Sequence, residues 1–485
     1  MKKIFFTSFI LICIANNIYS QTVSIDESFG KNGIVTMPSY GGVEFLDFDA
    51  QGNIIAFGYP GYPLILKTDA NGVIDKHFGT KGYVMLQKYG SNWGGGYGLK
   101  VTNENKILIV FLVFTHTFAG PDDPAKEIIM RFNEDGSIDK SFGINGEIIL
   151  DDVNITSVNT ENDDYMLISG IEYYNDINGY NQDPYISKYN YDGEMDTNFG
   201  TNGKAYLTDK ITFSIFPNSI KILNDKSIIA AGYNGLNVAF CKLNQDGNLV
   251  TNFANNGKYI SDIGDNPYAK HFSNVIEESN GNLLFIGRLT DHTLTHRFFV
   301  CGFNSNGTIN SNFGENGFFY SDDLSNSHKA VLQNENTFLI GSNKKIVSIN
   351  YNGTLDTHFN NTGSFVFEEF SIRDMKHQTS SKFIVGGREG LVRLNISSEA
   401  TSIKPNEISN SLFIFPNPVK DILIINNEQL IINNVKICDL LGRVVLLPSF
   451  GGGGGGFNVS VLPQGIYFVK LETDKETITK KFVKE

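Results

Sequence analysis

A ten-residue pattern recurs seven times along this 485-residue chain and constrains its fold more than any other feature. Two copies read S-I-D-x-x-F-G-x-N-G, the other five are variants of it, and each has a glycine four residues after a central phenylalanine. These phenylalanines, here called the anchors, are Phe29, Phe78, Phe142, Phe199, Phe253, Phe313 and Phe359. Their spacings range from 46 to 64 residues, which indicates a constant structural unit carrying loops of variable length.

The glycines of the pattern predict tight turns. The glycine after each anchor, such as Gly82, marks a turn that needs positive φ, where a Cβ would clash. A second glycine, such as Gly72, precedes six of the anchors by six residues, follows Asn- or Asp-rich sequence and predicts a hairpin turn. We interpret the anchors as side chains that pack between neighbouring units.

Between anchors lie about four short strand-like runs, without helical periodicity. Four antiparallel strands repeated seven times predict an all-β fold, a seven-bladed β-propeller over residues 21–397. The first copy lacks a preceding strand and the last unit lacks a following motif. We therefore predict that residues 23–29 pack beside residues 391–397 and close the ring.

The seven copies resemble the delta-60 repeat, a β-propeller repeat of bacterial exported proteins, over residues 24–397. Ala254, Asn360 and Val250 depart from the commonest residues of the pattern. The resemblance implies no catalytic machinery, so it supplies no catalytic, cofactor or metal residues.

Residues 1–20 read as a secretory signal peptide, with Lys2 and Lys3 before an apolar run and cleavage before Gln21. No later run is long enough to span a bilayer, so we expect no transmembrane segment in the mature chain. The remaining cysteines are Cys241, Cys301 and Cys438, an odd number, which argues against a disulfide scaffold. Cys241 and Cys301 occupy equivalent apolar positions of consecutive repeats, and we interpret them as buried free thiols.

After a polar linker at residues 398–410, residues 411–485 alternate strands and turns. This segment resembles the type A C-terminal sorting domain of type IX secretion substrates. The residues that carry the resemblance are Pro416, Asn417, Pro418, Gly442, Arg443, Gly465, Tyr467, Lys480 and Lys481. The resemblance implies a small antiparallel β-sandwich, recognition by the outer-membrane translocon, and export through the periplasm to the cell surface or the medium.

The net charge of −13 argues against a nucleic-acid surface, which needs clustered Lys and Arg. We expect no cofactor, with calcium as an open alternative at two Asp- and Asn-rich turns. Their oxygen-bearing residues are Asp69, Asn71, Asp75, Asn133, Asp135 and Asp139. His292 and His296 lie in a hairpin loop without a zinc motif. Tight turns favour Asp and Asn without any metal.

Aromatic residues in the longer insertions are the strongest candidates for ligand contacts, since binding residues concentrate on loops of rigid scaffolds. They are Trp93, Tyr97, Tyr173, Tyr174 and Tyr180. Such rings stack on sugars or peptides, or they cover strand edges.

No Ser-His-Asp arrangement appears, and Asp122–Asp123 and Asp151–Asp152 read as solvated charge. We therefore expect a non-enzymatic binding or scaffold protein with an unknown glycan or peptide ligand. The alternative is a secreted glycan hydrolase, which requires two or more carboxylates with raised pKa at the channel mouth.

Overall fold

The computed structural model describes residues 19–37, 42–58, 62–89, 93–114, 125–150, 154–160, 164–176, 179–208, 214–261, 269–290, 296–321, 327–334, 336–400, 412–427, 432–439, 443–447, 456–473 and 477–485. Residues 1–18 of the predicted signal peptide and residues 401–410 of the predicted linker lie outside this part of the chain. Ser20–Ser398 form one compact unit, and Glu399–Glu485 belong to a second.

In the residues that the structure describes, the larger unit consists of strands and one 3₁₀ turn, η1 (Gln87–Tyr89). The strands of its first three sheets are β3 (Val43–Phe48), β4 (Ile54–Gly58), β5 (Leu64–Thr68), β6 (Tyr83–Met85), β7 (Trp93–Val101), β8 (Ile107–Phe114), β9 (Ala125–Phe132), β10 (Glu147–Leu150), β11 (Asn154–Asn159), β12 (Tyr165–Asp176), β13 (Gly179–Asn190) and β14 (Lys204–Tyr206). The next three sheets comprise β15 (Phe216–Ile222), β16 (Ile228–Asn234), β17 (Asn237–Leu243), β18 (Lys258–Ser261), β19 (Ala269–Glu277), β20 (Leu283–Thr290), β21 (His296–Phe303), β22 (Phe318–Ser321), β23 (Ser327–Leu332), β24 (Thr337–Ser342), β25 (Lys345–Asn350) and β26 (Ser364–Val366). The last sheet comprises β1 (Tyr19–Ile25), β2 (Ile34–Val35), β27 (Ile372–Thr379), β28 (Lys382–Gly387) and β29 (Gly390–Ala400).

In the described residues these strands form seven antiparallel sheets, numbered 1 to 7 from β3–β6 to the sheet that contains β27–β29. Sheets 1 to 6 each have four consecutive strands. The prediction of an all-β unit built from four-stranded sheets is confirmed.

Sheet 7 joins the two ends of the unit. β29 pairs with β28 and also carries β1 and β2. Ile34 lies opposite Val392, and the Asp26 amide donates to the Arg393 carbonyl at 2.8 Å. This is the contact that the sequence predicts between residues 23–29 and 391–397.

The sheets follow one another in a closed cycle. The first strand of each sheet contacts the first strand of the next, and β27 of sheet 7 contacts β3 of sheet 1. A hydrophobic cluster lies between each pair of neighbouring sheets, and each cluster contains one anchor phenylalanine. All seven anchors are at most 3% exposed. Each anchor therefore joins two sheets.

The repeated motif lies at one end of this cycle, here called the motif end. In sheet 2, Phe132 pairs with Ile107 at this end, and the motif follows Phe132 directly. Phe114 and Ala125 pair at the opposite end. The motif glycines adopt the expected positive φ, for example 98° at Gly82, where a Cβ would collide with Ile74.

The second unit contains two antiparallel sheets. Their strands are β30 (Leu412–Phe415), β31 (Ile422–Asn427) and β34 (Gly456–Asn458) in one sheet, and β32 (Ile432–Cys438), β33 (Val444–Leu446), β35 (Gly465–Thr473) and β36 (Thr477–Lys484) in the other. Leu423 and Ile425 of the first sheet share one core with Val469 and Phe482 of the second. The sheets therefore pack face to face.

Candidate binding site in the central cavity

The first strands of all seven described sheets line a cavity of about 1040 Å³. It extends along these strands as far as Asn224, Ser279 and Asn334, which lie in the turns of the motif end. Its volume is that of a small-molecule site.

Each of these first strands contains a β-bulge at the equivalent place. The extra residues are Glu44, Tyr97, Thr156, Asn218, Ser273, His328 and Arg373. All seven are polar or ionisable. Bulges redirect side chains and are frequent beside functional sites. The described sheets thus carry a ring of polar residues at their bulges, here called the bulge ring, of which Tyr97, Thr156, Asn218 and Ser273 line the cavity.

Charged residues around the cavity on sheets 6, 7 and 1 are paired. Arg373 Nη1 lies 3.3 Å from Glu44 Oε1, and Lys376 Nζ lies 2.7 Å from Asp47 Oδ1. Lys329 Nζ lies 3.6 Å from the buried Asp374. In each of these pairs the carboxylate neutralises the positive charge of the lysine or arginine.

The same carboxylates connect neighbouring sheets. Asp374 Oδ2 of sheet 7 accepts a hydrogen bond from the Leu46 amide of sheet 1 at 2.9 Å. Asp47 Oδ2 of sheet 1 accepts from the Val101 amide of sheet 2 at 2.8 Å. Hydrogen bonds to charged groups are worth about 1.5–3 kcal/mol, so these acids stabilise the cavity wall.

Four carboxylates at or near the cavity, Glu44, Glu127, Glu277 and Glu278, have raised pKa values, and burial is the main cause in each case. Glu44 accepts from the Gly96 amide, and Glu277 accepts from the Asn224 amide at 2.7 Å. Burial raises the pKa of Glu127 from 4.5 to about 7. They belong to sheets 1, 2 and 5. The charge of Asp225 contributes to the raised pKa of Glu277, whereas no second carboxylate contributes to the shift of Glu44 or Glu127.

Glu127 lies between sheets 2 and 3 and is 2% exposed. Its Oε1 accepts from the Ile155 amide at 3.3 Å, whereas Oε2 has no hydrogen-bond partner among the described residues. The Glu127 charge contributes to the raised pKa values of Tyr97 and Tyr185, after burial. Glu127 is therefore a buried acid next to phenols.

Sheets 2 to 5 present mainly neutral polar groups to the cavity, with Lys221 and Glu277 as charged lining residues towards the motif end. Tyr97, Thr156, Asn218 and Ser273 of the bulge ring line it, together with Ser157, Ser219 and Asn274. Thr156 hydrogen-bonds Ser169, and the Ser273 hydroxyl donates to the Ile286 carbonyl. In the described part of the chain, the Asn218 and Asn274 side chains have no hydrogen-bond partner.

The aromatic candidates from the sequence occupy different places. Tyr97 lines the cavity. Tyr173 is 36% exposed, and its hydroxyl accepts from Asn154 Nδ2 at 3.1 Å. Tyr174 is half-buried. The side chains of Trp93 and Tyr180 lie outside the described residues, as do Asp122–Asp123 and Asp151–Asp152.

The Asp-rich turns use their oxygens within the chain. Asp69 Oδ1 accepts from the Asn71 and Val73 amides, and Asp139 pairs with Arg131 and Lys106. In the residues that the structure describes, no three His, Cys, Asp or Glu side chains gather as a metal site. His292 and the His296 side chain lie outside them. The expectation of no cofactor stays a prediction.

The cysteines are free and buried. Burial raises the pKa of Cys241 to about 12 and also raises the pKa of Cys301. Thiols with raised pKa form little of the reactive thiolate at neutral pH.

A repeated cation was missed at the sequence level. Lys67, Arg131, Lys188 and Lys242 each precede an anchor by eleven residues, and Arg393 takes this place in sheet 7 beside Phe29. Each pairs with a carboxylate, as Arg131 does with Asp139 at 2.9 Å. The guanidinium of Arg131 also lies 4.9 Å from the Phe142 ring centroid. The fixed offset from the anchors was the available signal.

The sorting-motif residues support the smaller unit. Asn417, between Pro416 and Pro418, accepts from the Val483 amide at 2.8 Å and donates to the Lys481 carbonyl at 3.3 Å. The Tyr467 hydroxyl donates to the Pro463 carbonyl, and its ring stacks on Phe482. Gly465 lies in β35 and Lys480 lies in β36. Arg443 pairs with Asp439, and Gly442 lies outside the described residues.

The smaller unit decides the destination of the chain. Residues 413–485 match the secretion system C-terminal sorting domain. This domain marks proteins that the type IX secretion system exports to the cell surface or the medium, and the chain is therefore an exported protein. No helix in the described ranges is long and apolar enough to cross a membrane.

Comparison with curated proteins gives no match. Among solved structures, YCF48 bound to D1 peptide is 9% identical, with 77% of this chain and 99% of that chain covered and a TM-score of 0.40. A protein of unknown function from Bacteroides caccae is 9% identical, with 62% and 98% covered and a TM-score of 0.32. The Hadza microbial sialidase Hz136 is 10% identical, with 72% and 74% covered and a TM-score of 0.37. The strand pairing of the described sheets, and not these similarities, shows the all-β fold.

Proposed function

We propose that this chain is an exported, non-enzymatic seven-bladed β-propeller of delta-60-type repeats that acts as a binding or scaffold module. The type IX translocon recognises its C-terminal domain and delivers it to the cell surface or the medium. The central cavity of the propeller is its ligand site.

The observation that carries the proposal is the closed cycle of first strands around that cavity. Contacts run from β3 through each first strand to β27 and back to β3, and sheet 7 combines both ends of the unit. This arrangement is that of propeller blades around a central channel. A rigid ring with a polar cavity suits binding, because its side chains are held in place before a ligand arrives.

The charge arrangement supports binding over hydrolysis. A glycoside hydrolase needs two carboxyl groups about 5–9.5 Å apart across the scissile bond. Here Asp47 and Asp374 are occupied by lysines and backbone amides, and Glu44 is occupied by Arg373 and the Gly96 amide.

A glycan hydrolase is the second candidate, and Glu127 favours it. A buried carboxyl with a pKa of about 7 suits a general acid at neutral pH.

Purified full-length protein is screened on glycan and peptide arrays and, in parallel, on a panel of glycan substrates for product release. We expect retention of a ligand without turnover. Turnover that Glu127→Gln abolishes while leaving the thermal melting temperature intact would overturn the binding-only assignment and establish the hydrolase.

Export is tested separately, with a chain that ends after residue 410. We expect this truncated propeller to accumulate in the periplasm, whereas the full chain reaches the surface or the medium. Efficient appearance of the truncated chain outside the cell would contradict the role of the sorting domain.

A further inference from the structure

Six of the seven positions of the bulge ring form two arcs of different chemistry. On sheets 7 and 1, Arg373 and Glu44 form an ion pair. On sheets 2 to 5, the four consecutive positions are Tyr97, Thr156, Asn218 and Ser273, which carry no charge at neutral pH. These four residues on sheets 2 to 5, here called the neutral arc, all line the cavity.

The neutral arc presents unused hydrogen-bonding capacity. Thr156 and Ser273 have protein partners, but the Asn218 and Asn274 amides have none among the described residues. Each amide offers two donor hydrogens and one acceptor oxygen. Both asparagines are half-buried, so they meet the cavity with limited access to bulk water. A ligand that both donates and accepts would satisfy them.

Among the described residues that line the cavity, each Lys, Asp and Glu has an opposite charge beside it. Lys376 pairs with Asp47, and Lys329 lies beside Asp374. The positive charge of Lys221 lowers the pKa of Glu277, which also accepts a hydrogen bond from the Asn224 amide. An anionic or cationic ligand would have to lose its hydration without gaining a free counter-charge, which is costly. The ligand is therefore uncharged.

Aromatic rings complete the lining. Tyr97 belongs to the neutral arc, Phe45 and Phe48 lie on sheet 1, and Tyr351 lies at the motif end. A pyranose ring combines an apolar face for such rings with hydroxyls that donate and accept at its rim. An extended peptide instead needs a row of backbone partners along a free strand edge. In the described sheets each first strand pairs on one side only, and glycines such as Gly96 and Gly98 line the cavity beside the side chains, so uncharged peptides are included in the test below.

We propose that the neutral arc binds an uncharged saccharide, with the Asn218 and Asn274 amides bridging its hydroxyls and Tyr97 packing on its ring. This assignment rests on the proposed binding function and names its ligand class.

Calorimetric titration of the full chain tests the assignment, with neutral tri- and tetrasaccharides of hexose and N-acetylhexosamine units. Uronic-acid oligosaccharides of equal length and uncharged unstructured peptides are the comparison ligands. We expect binding of a neutral saccharide, with its dissociation constant raised about threefold to tenfold by Asn218→Ala and by Asn274→Ala, as expected for one lost hydrogen bond each. Tyr97→Phe, which removes only the hydroxyl, keeps the ring and should weaken binding by less.

Asn312→Ala is the matched control, because Asn312 is exposed and lies in the motif of sheet 5, away from the cavity. It should leave the dissociation constant unchanged, and unchanged melting temperatures show that each variant folds. Absence of binding by every neutral saccharide overturns the assignment, as does tighter binding of the uronic acids. A saccharide dissociation constant that is unchanged in both asparagine variants also overturns the assignment. Peptide binding alone overturns the saccharide assignment and leaves the binding function standing.

Discussion

Arg393 lies over the ring of Phe29, with its guanidinium carbon 5.1 Å from the ring centroid, and its Nε donates to Asp26 Oδ2 at 2.9 Å. Phe29 and Asp26 belong to the first copy of the motif, whereas Arg393 stands on β29. Arg393 Nη1 also donates to the Ala70 carbonyl of sheet 1 at 2.9 Å. One buried side chain therefore joins the beginning of the unit, its end and the next sheet.

Replacing Arg393 by Met should destabilise the larger unit by about 3–5 kcal/mol, because Asp26 would remain buried without its guanidinium partner. Lys382→Met is the control. Lys382 pairs with the same carboxylate at 3.2 Å from a side chain that is 37% exposed, and its loss should cost less than about 1 kcal/mol. Urea unfolding of the full chain measures both. Equal losses would contradict the special role of Arg393.

Phe142→Ala should cost about 3–5 kcal/mol, since the anchor is fully buried between sheets 2 and 3 and its removal leaves a cavity. Ile144 lies two residues further along the same motif and is 79% exposed. Ile144→Ala should therefore change stability by less than about 0.5 kcal/mol. A small effect of Phe142→Ala in the same unfolding experiment would show that the anchors do not hold the sheets together.

Gly82→Ala and Gly52→Ala separate backbone strain from crowding. Both glycines have positive φ, 98° and 79°, but a Cβ at Gly82 would collide with Ile74, whereas the space around Gly52 is open. We expect Gly52→Ala to cost about 1 kcal/mol and Gly82→Ala clearly more. Differential scanning calorimetry gives the comparison. A melting temperature that falls equally for the two variants would rule out the steric explanation of the motif glycine.

Glu127→Gln should change the pH dependence of stability. The folded pKa of about 7 lies above the usual 4.5, so the native state binds more protons than the unfolded state between these values. Wild-type stability should then fall as pH rises from about 4.5 to about 7, by at most about 3–4 kcal/mol at 1.4 kcal/mol per pKa unit.

The Glu127→Gln variant should lack this decline. Glu315→Gln, an exposed exchange of the same kind in the motif of sheet 5, should retain it. Melting temperatures measured from pH 4 to 8 make the comparison, and parallel wild-type and Glu127→Gln profiles would refute the buried-acid account.

The repeat made most of the architecture predictable. Anchors and glycines at fixed offsets indicate the same turns and the same buried ring in each unit, and strand-length apolar runs indicate four-stranded sheets. The cation that precedes Phe142 by eleven residues was equally readable, because its offset recurs in other units.

The cavity was not predictable from the sequence. A bulge depends on which residues of two strands face each other, and the runs around Asn218 and Ser273 carry no motif that reveals this register. Tyr97 stood out only as an aromatic residue in an insertion. Arg373 and Glu44 neutralise each other's charge across two first strands, β27 and β3, that lie at opposite ends of the unit in sequence. Only the closed cycle of sheets brings these two strands together.

The double pairing of β29 also makes sheet 7 depend on segments that lie far apart in the sequence. Gln21 of β1 bridges Phe359, but β1 and β2 have their strand partner only once the chain has supplied residues 390–400, and contacts of such long sequence separation form slowly. A fragment that stops at Gly387 would leave the edge of β28 unpaired, open to strands of other molecules. Proteolysis or truncation just before β29 should therefore produce an aggregating species, in contrast to the full chain.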